Sequence, residues 1–199
     1  MSDAVRSAEA LPEAEYQNYT IMLYQDGALI WETSLAEFAA DSQNRFRRVP
    51  AGEYVIYVES CSAGEAEVGL GVPRYVGSRT FEVTAGRTST ADVVCTMVNA
   101  KVTLAYASDF TQKFTPWGLS VADSDGRKLV LEMNSMSTSH DDAVVMYFNV
   151  LDDGDAELMY TLVATDIAAD KVMRYDVEFT VKARTWNKVT MTSSEISGQ

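Results

Sequence analysis

The chain repeats one sequence pattern at a spacing of 98 residues, and this internal repeat limits the folds that are open to it. Residues 81–85 (FEVTA) recur as residues 179–183 (FTVKA), and Ile21 recurs as Leu119 at the same spacing. The turn sequence Asp26-Gly27 recurs as Asp125-Gly126, at a spacing of 99. Because three separated landmarks keep nearly one register, we interpret the chain as a tandem duplication of one small fold.

Alternating apolar and polar residues with short turn sequences predict β-strands in the first half. Residues 19–24 and 28–32 flank the turn Gln25-Asp26-Gly27, which is a strong hairpin signal. The sequence Ser34-Leu35-Ala36-Glu37 fits a capping box and predicts a short helix over residues 35–40. Further strands are predicted at residues 53–59, 80–83 and 90–97.

The second half gives the same kind of pattern with no linker before it. Strands are predicted at residues 101–106, 118–122, 127–133, 143–150, 157–164, 172–181 and 186–192. About seven strands per hundred residues are typical of a β-sandwich. We therefore predict an all-β chain of two tandem antiparallel β-sandwich domains, immunoglobulin-like or transthyretin-like, with one short helix in the first. The predicted boundaries are a tether at 1–18 and domains at 19–98 and 99–199.

Charge excludes one large class of partner. The 29 acidic residues exceed the 16 basic residues and give a net charge of −13, which repels nucleic acid. No apolar run has the roughly 18 residues that a membrane-spanning helix needs. The opening residues are small, acidic and aperiodic, as in a tether from which an export signal has been removed.

Few residues in the sequence suggest chemistry. Cys61 and Cys95 each end a strand-like stretch, and their spacing is compatible with a disulfide or with two buried free thiols. His140, the only histidine, lies in Ser137-Thr138-Ser139-His140-Asp141-Asp142, but neighbours in sequence do not form a catalytic triad. We interpret it as a loop histidine and expect no enzymatic activity.

The acidic turn Asp152-Asp153-Gly154-Asp155 is a weak candidate for a calcium site. Its three carboxylates are ligands that hard cations prefer, but the spacing and terminal Glu of an EF-hand loop are missing. An acidic β-turn is the simpler interpretation. We predict no resident metal and no cofactor.

Aromatic residues are the remaining candidates for binding. Trp31, Trp117 and Trp186 could supply a stacking platform for a glycan, although strand tryptophans are more often in a core or a domain interface. Tyr75 lies in Pro73-Arg74-Tyr75-Val76-Gly77, a loop that we predict to be a binding edge. The candidate binding residues are therefore Arg74, Tyr75 and Trp117.

Three short motifs in order resemble a domain of unknown function found in Bacteroidetes surface lipoproteins. They are Pro50-Ala51-Gly52-Glu53-Tyr54, then Pro73-Arg74-Tyr75-Val76-Gly77, then residues 81–86 (FEVTAG), followed by Val93-Val94-Cys95. The resemblance covers roughly residues 19–130. It implies an exported lipoprotein built from sandwich domains, located at the outer membrane or the extracellular surface and anchored through an N-terminal lipid that this chain does not carry.

These observations lead to one principal expectation about function and two alternatives. The principal expectation is a non-catalytic cell-surface or exported lipoprotein with a binding or spacer role in adhesion or envelope assembly. Its partner would be a protein or glycan at the cell surface. The alternatives are a carbohydrate-binding module of a glycan-capture system and a fimbria-like structural subunit, which would offer an unpaired strand edge or groove to a partner's strand.

Overall fold

A computed structural model describes residues 18–40, 48–150 and 154–193, and the fold is all-β, as predicted. The chain divides into two compact units. Unit 1 contains the described residues of Met1–Ala63 and Arg74–Met97, and unit 2 contains those of Gly64–Pro73 and Val98–Gln199. The predicted tether lies almost entirely outside the described residues.

Unit 1 is built on one five-stranded antiparallel sheet in the order β2-β1-β3-β4-β5. The elements are β1 (Thr20–Gln25), β2 (Ala28–Ser34), α1 (Leu35–Ala40), β3 (Gly52–Glu59), β4 (Tyr75–Val83) and β5 (Thr96–Met97). One face of this sheet is covered and carries the buried side chains of Ile21, Leu23 and Tyr54. We call it the covered face, and the opposite one the open face.

The capping box and the hairpin of unit 1 are confirmed. The Glu37 backbone N–H donates to Ser34 Oγ at 3.1 Å, and the Ser34 N–H donates to Glu37 Oε2 at 3.2 Å, so two unpaired helical donors are satisfied. Asp26 and Gly27 have φ of 49° and 78°, which suits a two-residue hairpin turn. The helix therefore begins at Leu35 and β1 returns directly as β2.

Unit 2 is a two-sheet sandwich. Its strands are β6 (Ala100–Tyr106), β7 (Phe114–Asp123), β8 (Lys128–Glu132), β9 (Val145–Phe148), β10 (Asp155–Asp166), β11 (Lys171–Lys182) and β12 (Trp186–Met191), and its helix α2 is Phe110–Lys113. One sheet has the order β11-β10-β7-β8 and the other β12-β6-β9. The pairing of β6 with β12 is parallel, and the remaining pairs are antiparallel.

The core of unit 2 lies between these two sheets. Residues at alternate strand positions point inward, as a half-buried strand requires. The largest fully buried side chains in this core are those of Leu104, Phe110, Phe114, Leu119, Met146, Phe148, Leu158 and Leu162.

The sequence repeat corresponds to a structural repeat of four strands. The order β2-β1-β3-β4 in unit 1 matches β8-β7-β10-β11 in unit 2. Ile21 pairs with Thr33, and its counterpart Leu119 pairs with Leu131, so the 98-residue spacing also holds across the strand pair. Each unit therefore contains a sheet with the same order of four strands and the same register between its first two strands.

The predicted strand at residues 90–97 is wrong in extent, because only Thr96–Met97 pair with β4. The preceding residues pass close to Gly77 instead. A Cβ built on Gly77 would lie 2.5 Å from the Val94 carbonyl oxygen and 2.8 Å from Val93 Cγ1. The segment before Thr96 therefore passes close to the backbone of β4 at Gly77, where a larger residue would not fit.

The other two motifs of the first unit also serve packing. Tyr54 is 1% exposed, and its hydroxyl donates to the Pro50 carbonyl oxygen at 2.9 Å. The Phe81 ring lies 6.0 Å from the Tyr54 ring, measured between centroids. Gly86 has a φ of 71° in the turn that follows β4, a conformation that favours glycine. These motifs are explained by the fold of unit 1.

The segment Gly64–Pro73 belongs to unit 2, although it follows β3 in sequence. The Tyr147 N–H donates to the Leu70 carbonyl at 2.9 Å, and Arg127 Nη2 donates to the Gly69 carbonyl at 2.7 Å. Asn99 Nδ2 donates to the Val72 carbonyl at 2.8 Å. The sequence predicted most of this segment as a loop, but not where it packs.

Within the described ranges, no helix has the length and the apolar character needed to cross a bilayer.

We expect Gly77→Ala to destabilise unit 1 by about 2 kcal/mol, because the new methyl group would overlap a backbone carbonyl. Differential scanning calorimetry of the variant would show this as a lower unfolding temperature. Gly118→Ala in β7 is the matched control, since a Cβ there meets no atom within 4 Å. Equal unfolding temperatures for the two variants would contradict the contact at Gly77.

Candidate functional site

The open face of the unit 1 sheet carries two half-buried tyrosines that have no aromatic counterpart in unit 2. Tyr24 pairs with Val55, and Tyr57 pairs with Met22, so all four side chains lie on this face. We call these four residues the tyrosine face. At a spacing of 98, Tyr24 corresponds to Ala122 in the sequence, so the tyrosine is a feature of one copy only.

A cavity of about 310 Å³ lies at the hairpin end of this face. It is lined by Tyr24, Asp26, Gly27, Glu53, Tyr54 and Val55. The Tyr24 ring and Val55 supply apolar surface, whereas Asp26 and Glu53 bring exposed carboxylates to its rim. A concave apolar surface with a few polar groups is the usual form of a ligand site.

The charges at this end of the sheet are unbalanced. Glu53 lies directly opposite Glu82 on β4, and like charges in such a cross-strand pair are destabilising. None of the ion pairs formed within the described ranges includes Asp26, Glu53 or Glu82. The site therefore favours a ligand that donates hydrogen bonds or carries positive charge.

Arg74, predicted as a binding residue, holds the ends of β3 and β4 together. Its Nη2 donates to Glu59 Oε2 at 2.8 Å and to the Tyr57 hydroxyl at 3.2 Å, and its Nε donates to the Cys61 carbonyl at 3.1 Å. Burial, and then the charge of Glu59, raise the pKa of Tyr57, while Arg74 acts in the opposite direction. The guanidinium is thus occupied by contacts within unit 1.

Tyr75, the centre of the predicted binding edge, is half-buried in the sheet. Its N–H donates to Ser60 Oγ at 2.9 Å, and its carbonyl accepts from the Ser60 N–H at 2.9 Å. Its ring stacks on Tyr19 with 6.5 Å between centroids. These contacts give Tyr75 a structural role in unit 1.

The three tryptophans have different surroundings. Trp117 is 5% exposed, and its ring centroid lies 5.3 Å from that of Phe110 and 5.4 Å from that of Tyr106. Its ring is therefore not accessible for stacking on a sugar. This burial removes Trp117 from the candidate binding residues. The ring of Trp31 lies beside that of Phe38 of α1, with 6.1 Å between the centroids. Trp186 is half-buried on the outer surface of the β12-β6-β9 sheet, where two lysines contact its ring.

Cys61 and Cys95 do not form a disulfide; both are free and half-buried. Cys95 Sγ lies 3.9 Å from the Val58 carbonyl oxygen, and burial raises the pKa of the Cys95 thiol.

Only part of the acidic turn lies within the described residues. Asp152 and Asp153 lie outside the described residues, and Asp155 is 3.9 Å from Lys182 Nζ. Within the described ranges, no group of three His, Cys, Asp or Glu side chains is placed to hold a metal ion.

His140 joins three separate segments of unit 2 through hydroxyl groups. Its Nδ1 is 3.1 Å from Thr103 Oγ1 and its Nε2 is 2.9 Å from Thr190 Oγ1. Trp186 Nε1 donates to the same Thr103 hydroxyl at 2.8 Å. The arrangement that satisfies every donor has Thr103 donating to Nδ1, and Nε2–H donating to Thr190. The neutral imidazole therefore fixes its loop onto β6 and β12.

Comparison with known proteins places the chain in a family. The family model "Domain of unknown function (DUF4493)" matches residues 2–199. The chain belongs to the DUF4493 family. No curated protein matches this DUF4493 chain.

Two solved structures are similar to this DUF4493 protein over most of their length. One is a candidate cell adhesion protein from Bacteroides eggerthii DSM 20697, with 11% identity and a TM-score of 0.48, covering 89% of this chain and 79% of that chain. The other is a candidate adhesin from Bacteroides ovatus ATCC 8483, with 10% identity and a TM-score of 0.37, covering 84% of this chain and 78% of that chain. Identities this low do not establish a shared function.

We expect the stability of unit 2 to fall as the pH is lowered from about 7.5 to about 5.5. Burial, and then the charge of Lys188, lower the pKa of His140 from 6.5, whereas Asp141 acts in the opposite direction. The folded protein therefore binds fewer protons than the unfolded chain, and its stability is full above pH 6.5 and declines below it.

Thermal unfolding at several pH values would measure this dependence, with His140→Gln as the comparison. We expect the variant to lose most of the slope in this window. The ring signals of the single histidine report its pKa directly by NMR. A pKa at or above 6.5 in the folded protein would contradict the prediction.

We expect two free thiols per chain. Iodoacetamide added in denaturant without a reductant should label both Cys61 and Cys95, which mass spectrometry detects. In the folded protein, Cys95 should react slowly, because its raised pKa leaves little thiolate. A chain that takes up label only after reduction would contain the disulfide instead.

Proposed function

We propose that this DUF4493 protein is a non-catalytic binding protein of the cell surface, with a role in adhesion or envelope assembly. The observation that carries the proposal is the cavity beside the tyrosine face in unit 1. It combines an aromatic wall with two carboxylates that have no cationic partner within the described ranges. The resemblance to Bacteroidetes surface lipoproteins supports a lipid-anchored protein of the outer membrane.

The difference between the two copies supports a function for this cavity. The Asp-Gly turn is present in both units, but Tyr24 is replaced by Ala122 in unit 2. The residues that a shared fold requires are expected to be similar in both copies. A large aromatic side chain that is present on the open face of only one copy is therefore not explained by the fold. A binding role explains why it is present in unit 1.

A non-catalytic role fits the surroundings of the only histidine. A nucleophile activated by His140 would have to be Thr103 or Thr190, whose hydroxyls are its partners. Thr103 is fully buried and already accepts a hydrogen bond from Trp186, so a substrate has no access to it. Thr190 is exposed, but in the arrangement described above its hydroxyl oxygen accepts a hydrogen bond from Nε2–H. The imidazole therefore does not act as a base toward this hydroxyl.

Carbohydrate binding is the form of this function that one observation favours. Tyr24 and Tyr57 are both half-buried on the open face, on neighbouring strands. Aromatic rings pack on the apolar face of a sugar, while carboxylates such as Asp26 and Glu53 accept hydrogen bonds from its hydroxyls. A protein ligand with a basic side chain would use the same carboxylates.

Binding of the purified protein to an array of immobilised glycans and lysine-rich peptides tests the proposal. We expect ligand binding to weaken by roughly tenfold in Tyr24→Ala and in the double variant Asp26→Asn/Glu53→Gln, since charge-assisted hydrogen bonds and ring contacts each contribute on this scale. Asp125→Asn, in the matching turn of unit 2, is the control and should bind normally. Binding that is unaffected by these changes would place the ligand elsewhere and contradict the cavity.

A further inference from the structure

The four-stranded sheet of unit 2 ends in a long, regular strand, β11. This strand is first in the order β11-β10-β7-β8, and among the described residues it pairs only with β10. The pairing continues without a bulge from Lys171 to Lys182, and β11 contains neither proline nor glycine. Edge strands are commonly protected by short length, proline or bulges, and β11 has none of these. We call its unpaired side the β11 edge.

The corresponding edge of unit 1 is covered by the chain itself. After β4 the chain returns antiparallel along that strand: Ser89 Oγ donates to the Glu82 carbonyl at 2.7 Å near one end, and β5 pairs with the other end. At a spacing of 98, residues 88–93 of this segment correspond to residues 186–191, which form β12. Because β12 pairs with β6 in the other sheet, the described part of unit 2 leaves the β11 edge uncovered.

One substitution between the copies prevents β11 from being covered in the same way. The returning segment of unit 1 passes so close to Gly77 that a Cβ there would lie 2.5 Å from the Val94 carbonyl oxygen. At a spacing of 98, Gly77 corresponds to Tyr175. The tyrosine ring packs beside Phe114, with 6.3 Å between the centroids. A segment that follows β11 therefore cannot take the path seen in unit 1.

The apolar side of β11 is only partly covered. Its side chains that point toward the core are half-buried, whereas Leu158 and Leu162, their partners on β10, are fully buried. These half-buried residues are Met173, Tyr175, Val177 and Phe179. A further strand at the β11 edge would cover this margin and would pair the free backbone groups.

The charges of β11 select the strand that can pair with it, because like charges directly opposite each other destabilise a strand pair. Consider a second β11 that lies antiparallel to the first, with each Tyr175 opposite the other. Arg174 then faces Asp176 of the second copy, Asp176 faces Arg174, and no like charges are opposed within residues 171–179. Moving the centre by one residue in either direction would place Arg174 or Asp176 opposite itself. The sequence of β11 is therefore complementary to itself in this alignment.

The two charged groups already pair within one strand. Arg174 Nε and Nη2 each donate to an Asp176 carboxylate oxygen at 3.0 Å, and both side chains are exposed. A second copy in the alignment described above would bring two such pairs together as a cluster of alternating charge. The charges at the β11 edge thus oppose many strands but match one.

We propose that two copies of this protein associate through β11, edge to edge and antiparallel, with Tyr175 at the two-fold axis. On the core side, Met173 of one copy would face Val177 of the other, which buries apolar surface of both. Because both copies use the same strand, the contact closes with two copies and does not extend into a fibre. The inference concerns unit 2 and does not depend on the cavity of unit 1.

Charge reversal with complementation tests the proposal, by sedimentation velocity at protein concentrations from about 10 to about 500 μM, the range expected for a small interface. We expect the unaltered protein to dimerise within this range. Arg174→Asp and Asp176→Arg each place like charges opposite each other, twice per dimer, and should raise the dimer dissociation constant by roughly tenfold or more. An equal mixture of the two variants should dimerise again, because each new charge then faces an opposite charge on the other copy.

Complementation separates pairing between copies from effects within one chain. Both variants lose the ion pair within β11, and mixing them cannot restore it. The matched controls are Lys128→Asp and Glu132→Arg, which make the same changes of charge at exposed positions of β8, on the opposite edge of the sheet. They should dimerise like the unaltered protein. Thermal unfolding of all four variants should show that they fold, since exposed ion pairs contribute little to stability.

Amide hydrogen exchange locates the contact. Residues 171–179 should exchange more slowly at high protein concentration than at low concentration, because pairing protects the free backbone groups of the edge. A protein that stays monomeric throughout the concentration range would overturn the proposal and would leave the edge to a strand of a different protein. A mixture that fails to dimerise, controls that are weakened as much as the β11 variants, or protection confined to another strand would also overturn it.

Discussion

The register between the first two strands of each unit determines which side chains reach the covered face and which stay open. A slip of one residue would exchange the two faces, so the turn that joins the strands has to fix the pairing. In unit 1 the two-residue turn Asp26-Gly27 is followed by a bulge near Leu23 and Tyr24. In unit 2 a longer loop joins β7 and β8 without a bulge. This difference explains why the Asp-Gly pair is displaced by 99 residues while the strands keep 98.

The constant register separates what the two copies share from what they do not. The positions of β1 that are buried on the covered face stay apolar in both copies, as in Ile21 and Leu119 or Leu23 and Val121, because each sheet must bury part of that face. Positions on the other face are free to change without loss of the fold. The tyrosines of unit 1 lie at such positions, and the cavity beside them is therefore a feature added to a common frame.

Local sequence signals predicted local structure well. The capping box placed the helix at Leu35–Ala40, and the Asp26-Gly27 pair placed the first hairpin, because both depend on neighbouring residues. The predicted strand at 90–97 was wrong in extent, since only Thr96–Met97 pair with β4 while Val93 and Val94 lie close to Gly77.

The sites could not be predicted in the same way. His140 meets Thr103 and Thr190 only through the pairing of the first strand of unit 2 with the last, which no local pattern encodes. The sequence did contain a signal for the cavity. When the two copies are aligned at a spacing of 98, Tyr24 corresponds to Ala122. The motif around Arg74 and Tyr75 predicted a binding edge, but in the structure both residues form hydrogen bonds within unit 1.

The parallel pairing of β6 with β12 has a consequence for how the protein folds during synthesis. Trp186 and Lys101 are direct partners, yet nearly the whole of unit 2 separates them in the chain. Contacts at such long sequence separation form slowly. During synthesis, the edge of β6 that pairs with β12 therefore stays unpaired until the last strand has been made. Until then unit 2 stays incomplete and exposed to aggregation, whereas the short-range hairpin of unit 1 can already have formed.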